Sequence, residues 1–119
     1  MATEWVLVNT RNNTLYDLGK GPWYEFNPED FQDGAAKKIE YECCFTPELS
    51  IEISNELKEF TANVLVSDLR ILTDDNDEIW SHQYVCIGTR YRDHQDPSYR
   101  QKIIEEWNIA MESDKLDQK

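Results

Sequence analysis

Three times in this chain a short polar side chain stands directly before a proline: Asn27-Pro28, Thr46-Pro47 and Asp96-Pro97. The polar oxygen can accept an amide proton that a helix leaves unpaired at its start. Proline in the first helical position gives up only an N–H that has no partner there anyway. Each pair therefore reads as a helix N-terminus. The first helix is expected to be short, because Gly34 follows soon.

The second start runs into Leu49, Ile53, Leu57, Phe60 and Val64, steps of four, four, three and four that describe one helix face. Leu49-Ile51-Ile53 also alternates like a strand, and the longer periodicity favours a helix over 47–62. The third start leads a helix over 97–113 with Tyr99, Ile103, Trp107 and Met111 four apart, widened by Ile104 and Ala110. The tail, 114–119, is expected to fray.

The remaining segments are rich in β-formers. Residues 4–9 and 14–18 flank Asn12-Asn13, and asparagine tolerates positive φ, so an N-terminal hairpin is expected. Gly19-Lys20-Gly21-Pro22 then breaks the strand; it lacks the spacing of a phosphate-binding loop. Residues 39–45 alternate partly and read as a strand. Residues 64–73 and 78–91 read as a second hairpin around Asp74-Asp75-Asn76-Asp77. The fold expected is α+β: one domain over 1–113, an antiparallel sheet of about five strands, and two main helices on one face. No internal repeat, low-complexity tract or linker interrupts it.

Hydrophobic residues are 39% of the 119, which is enough large apolar side chain to offset the entropy of ordering. The charge balance is lopsided, with 24 acidic against 12 basic residues, a net −12. Such a field repels phosphate backbones and anionic membranes and attracts basic partners. The same charge also serves simple solubility. Cysteine is sparse and odd in number: Cys43, Cys44 and Cys86. On a strand the adjacent pair would point to opposite faces, so a disulfide framework is not expected and a reducing compartment fits. Met1-Ala2-Thr3-Glu4-Trp5 has neither a basic nor an apolar leader segment, and a cytoplasmic location is expected.

Metal and catalytic signatures fail on spacing. Counted from Asp74, the sixth position is Ile79 and the twelfth Val85, where a calcium loop needs glycine and glutamate. His82 and Cys86 on one strand would lie ~13 Å apart, too far to share a zinc ion. No nucleophile signature surrounds any cysteine near His82 or His94. No metal and no cofactor are expected.

Other clusters carry more information. Glu48, Glu52, Glu56 and Glu59 step by four, four and three along the 47–62 helix and make an acidic ridge. Like charges at that spacing cost ~0.2–0.5 kcal/mol per pair, so a ridge of this kind is either tolerated noise or a docking surface. Trp23, Tyr24, Phe26 and Phe31 crowd one short stretch and serve either as a lid on the core or as a recognition patch. Asp74, Asp75 and Asp77 form an acidic tip suited to a basic partner. Against this background, Arg90, Arg92, His94, Arg100 and Lys102 form the one locally basic stretch. It reads either as an anion pocket or as internal neutralisation of nearby carboxylates.

The function expected is binding without catalysis, by an acidic inhibitor of a basic partner such as a toxin, nuclease or effector. Immunity proteins, antitoxins and phage-encoded nucleic-acid mimics are of this type. The contact residues would be Glu48, Glu52, Glu56, Glu59, Trp23, Tyr24, Phe26, Asp74, Asp75 and Asp77. A small enzyme or anion-binding protein using Arg90, Arg92, His94 and Arg100 is the alternative, and a structural adaptor or oligomer subunit the third reading.

Overall fold

The computed structural model describes residues 3–117. Val6, Leu7 and Val8 are consecutive and all fully buried. Successive strand residues face opposite ways, so such a run requires both faces of the sheet to be covered. The molecule satisfies this with three layers, helices on either side of a central sheet.

Strand β1 (Trp5–Asn9) and strand β2 (Thr14–Gly19) form the expected hairpin, with Leu7 opposite Tyr16 and Val8 opposite Leu15. Asn13 takes the left-handed conformation at the turn, with φ 57°. Helix α1 (Pro28–Gln32) is short, as expected, and the Asn27 N–H donates to Asp30 Oδ2 at 2.8 Å. Helix α3 (Pro47–Thr61) starts where Thr46 Oγ1 accepts the Leu49 N–H at 3.2 Å. Ile53 and Leu57 are buried while Ile51 is exposed, so the helical period prevails over the strand alternation.

Helix α2 (Ala36–Cys43) stands where a strand was expected over 39–45. The I-E-Y-E-C run fits both periods. Ile39 and Cys43, four apart, pack into the core, whereas Tyr41 between them is 82% exposed. On a strand the three would share one face. Cys44, in the left-handed conformation, ends the helix, so the paired cysteines lie at a helix terminus and not on a strand.

The second expected hairpin does not form. Strand β3 is confined to Leu69–Thr73, preceded by a 3-10 turn at Val66–Asp68. The supposed hairpin tip is a helix start: Asn76 Oδ1 accepts the Glu78 N–H at 2.8 Å, and helix α4 spans Asp77–His82. Asp77 and Glu78 in its first turn suit the positive end of the helix dipole. Strand β4 (Val85–Thr89) follows after Gln83 closes α4 in the left-handed conformation. Helix α5 spans Tyr99–Asp117 and so begins two residues after the start expected at Pro97: Asp96 Oδ1 accepts the Ser98 N–H at 3.1 Å, and Pro97-Ser98 form a turn ahead of the helix. The rest of the tail expected to fray, residues 118–119, lies outside the described residues.

The sheet has four strands, not five, in the order β3-β1-β2-β4. It is mixed: β1 is antiparallel to β2 and β3, while β4 runs parallel to β2. Leu7, Tyr16 and Leu18 pack against Phe31, Ile39, Ile53 and Leu57 of α1–α3, joined by Trp23 and Phe26. Val6, Val8, Leu15 and Cys86 pack against Ile79 of α4 and Ile104 and Met111 of α5. The helices therefore occupy both faces, not one. Among the described residues no helix is long and apolar enough to cross a membrane.

The edge of β4 is closed by a side chain. Asn108 on α5 accepts the Cys86 N–H at 2.7 Å and donates to the Cys86 carbonyl at 3.1 Å. Its amide imitates one residue of a neighbouring strand and blunts an edge open to pairing.

Candidate functional site

Two charged regions stand on opposite sides of the sheet. The first grows from α3. Its helical period puts Glu52 and Glu56 one turn apart, facing the segment after β4 and the first turn of α5. Arg92 reaches Glu52 (Nε to Oε2, 3.3 Å) and Glu56. Arg100 takes the other Glu56 oxygen, which also accepts the Tyr16 hydroxyl at 2.9 Å. Arg92 Nη1 further donates to the carbonyls of Thr89 and Arg90 at 3.0 Å each. Its side chain is only 12% exposed. Burial, and then the Glu56 charge, push the Tyr16 phenol above its ordinary range, so it stays a hydrogen-bond donor.

The expected acidic ridge is thus split. Glu52 and Glu56 are neutralised internally, and Glu48 and Glu59 remain exposed, with no salt bridge among the described residues. The basic stretch is split as well. Arg92, His94 and Arg100 line one hollow of about 270 Å³ together with the carboxylates Glu52 and Asp93. Arg90 is turned elsewhere. It donates to the carbonyls of Leu18 (3.1 Å) and Lys20 (2.9 Å), with its guanidinium over the rings of Tyr91 and Phe45. An anion entering the hollow meets guanidinium groups whose charge is already matched by glutamate.

The second region is a cleft of about 290 Å³ on the α4–α5 side. It lies where the carboxyl ends of β2, β3 and β4 meet the amino end of β1. Trp80 of α4 and Trp107 of α5 stack there, with centroids 6.0 Å apart and planes 17° from parallel. The Trp80 indole N–H is fixed by the Asp74 carbonyl at 2.8 Å. Tyr91 lines the opening, together with the carboxylates of Glu4, Asp74 and Glu106.

Asp17 also reaches this cleft, although it is fully buried. Its Oδ1 accepts the Gly19 N–H and its Oδ2 the Thr89 hydroxyl, both at 3.0 Å. Burial raises its pKa to about 6; the Thr89 hydrogen bond opposes this, and Glu4 adds to it. Among the described residues no lysine or arginine pairs with Asp17, and none lines the cleft. Gly19 keeps the wall thin: its φ is +69°, and a Cβ there would come within 2.6 Å of the Tyr91 ring.

The other sequence candidates fall outside both regions, apart from Asp74. Trp23 and Phe26 are buried in the core beside Phe31, which leaves Tyr24, 67% exposed, as the ring offered to solvent. Asp75 and Asp77 are exposed, and Asp74 is half-buried at the cleft. Burial pushes the thiols of Cys43 and Cys86 up to about 11 and about 12, so neither is a ready nucleophile. Among the described residues no group of three or more His, Cys, Asp or Glu side chains is placed to hold a metal ion.

Sequence reasoning missed Asp17, Glu4, Tyr91, Trp80, Trp107 and Glu106 as a group. One signal was available: Asp17 interrupts the apolar run Leu15-Tyr16-Asp17-Leu18, and a carboxylate in a strand buried on both faces needs a reason. No family model matches this chain, and neither a curated protein nor a solved structure matches it.

Proposed function

We propose that this protein works by binding and not by catalysis, as a cytoplasmic acidic inhibitor of a basic protein such as a nuclease or toxin. The observation that carries the reading is where its cations go. Of only 12 lysines and arginines, Arg92, Arg100, Lys38 and Lys102 are engaged in ion pairs, and Arg90 is spent on backbone carbonyls. Arg11, Lys20, Lys37 and Lys58 are exposed, and they are outnumbered at the surface by carboxylates, among them Glu48, Glu59, Asp75 and Asp77, which carry the excess behind the net −12. A surface with a large excess of one sign speeds encounter with the opposite sign and selects against nucleic acid. Immunity proteins, antitoxins and phage-encoded nucleic-acid mimics share that physical logic.

Calorimetric titration against a panel of basic nucleases and toxins tests the reading. At least one is expected to bind, with affinity falling about tenfold or more as salt rises from ~50 to ~500 mM, and to lose activity in the complex. Binding indifferent to salt for every partner found would remove it.

The convergence of Arg92, His94 and Arg100 on one hollow supports a second reading, an anion site. Titration with inorganic phosphate, followed through the His94 ring signals, separates the two. Saturable shifts there favour the anion site.

A further inference from the structure

The cleft between α4 and α5 combines features that a core gap does not need. Its aromatic walls are the stacked indoles of Trp80 and Trp107 and the ring of Tyr91, which already carries the Arg90 guanidinium over one face although Arg90 itself does not line the cleft. Every titratable group on it apart from the Tyr91 phenol is a carboxylate. One of these, Asp17, sits fully buried, held by the Gly19 N–H, the Thr89 hydroxyl and the nearby Trp107 indole, with no cation beside it among the described residues. A carboxylate offers about four acceptor sites, so Asp17 retains acceptor capacity. Desolvating an anion without a counter-charge is costly, and a bound cation removes that cost. Aromatic faces attract the same kind of ligand, since their quadrupole is negative over the ring.

We propose that this cleft receives the guanidinium of an arginine side chain from a basic polypeptide partner. The flat, weakly hydrated guanidinium fits better than a compact ammonium, because it stacks on indole while donating in plane to carboxylates. Asp74 and Glu106 meet it at the opening, and the Trp80–Trp107 stack supplies the apolar wall. Charge complementarity selects the occupant: the site holds carboxylates without lysine or arginine on a chain of net −12. The inference rests on the reading of the protein as a binder of basic partners, for which it names the anchor.

The test is a titration of the whole protein, labelled at its indole nitrogens, with the amide of acetyl-Gly-Arg-Gly. The same peptide carrying citrulline, which is neutral and nearly isosteric, is the control. The Trp80 and Trp107 indole signals are expected to shift saturably with the arginine peptide and not with citrulline, while Trp5 and Trp23 stay in place. Glu106→Gln, at an exposed position, is expected to weaken binding about two- to fivefold, and Trp107→Leu about fivefold or more. Glu29→Gln, exposed on α1 on the other side of the sheet, is expected to leave it unchanged.

Equal shifts with citrulline, or equal weakening by Glu29→Gln, would overturn the cleft as a guanidinium site. The two ideas fail separately. A basic protein that binds in a salt-sensitive way while both cleft indoles stay still leaves the inhibitor reading standing and removes the anchor. Arginine peptide in the cleft, with no salt-sensitive protein partner in the panel, supports a guanidinium pocket and removes the inhibitor.

Discussion

The two charged regions are built from the same residue types and reach opposite electrostatic ends. On the α3 side, Glu52 and Glu56 meet Arg92 and Arg100, and the Tyr16 hydroxyl takes part of the remaining acceptor capacity. On the α5 side, Glu4, Asp17, Asp74 and Glu106 gather around aromatic rings with no lysine or arginine among the described lining residues. The first arrangement is closed, because its charges are mutually satisfied and tie α3 to the segment leading into α5. The second is open, because no lysine or arginine among the described residues stands beside its carboxylates. A surface charge is therefore informative only after its neighbours are known. The glutamate ridge looked like the docking face in the sequence, and half of it is structural.

Breaking the closed region has the largest expected effect. Glu56→Ala leaves Arg92 and Arg100 without their shared counter-ion and Tyr16 without its acceptor, and is expected to cost about 3 kcal/mol, read as a lower urea midpoint. Glu106→Gln in the open region is expected to stay within about 0.5 kcal/mol of the parent protein, since nothing in the fold depends on that charge. Equal losses in the two variants would erase the distinction.

Asp17 sharpens the comparison through pH. Its folded pKa of about 6 stands above its ordinary 3.8, so the folded state holds the proton more tightly than the unfolded chain. The contribution of this group to stability is full below pH ~4 and is lost as pH rises through ~6, a change of about 3 kcal/mol at most. Asp17→Asn is expected to remove that slope, so its stability relative to the parent rises between pH 4 and 7. Urea melts of both proteins across that range check the sign. A flat difference would mean that Asp17 is already compensated.

A smaller effect is expected at the sheet edge. Asn108→Ala leaves the Cys86 N–H and carbonyl unmet beside α5 and is expected to cost about 2 kcal/mol, with faster amide exchange at Cys86.

Elements with local causes were legible. The Asn12-Asn13 turn, the proline-led starts of α1 and α3 and the stripe of α5 are set by residues within one or two turns of each other. The misread elements had two local solutions. Ile39-Glu40-Tyr41-Glu42-Cys43 satisfies both periods, and only packing against α3 fixed it as helix. Asp74-Asp75-Asn76-Asp77 is equally good turn and helix-cap chemistry, and the burial of Ile79 against α5 decided it. The cleft was illegible for a further reason: Glu4, Asp17, Asp74, Tyr91 and Trp107 are scattered along the chain, and their meeting depends on strand order.

By itself, the sequence determined where α1 and α3 begin, the apolar stripe of α3, and the excess of acidic charge, because capping, periodicity and net charge depend on near neighbours or on sums. Only the tertiary structure decided that β4 lies parallel to β2 across the sheet from β3, and with it which carboxylates found arginine and which did not. Strand pairing is a contest between distant segments for the same backbone hydrogen bonds. Its outcome depends on how both faces of the sheet are covered at once, and no local run of residues carries that information.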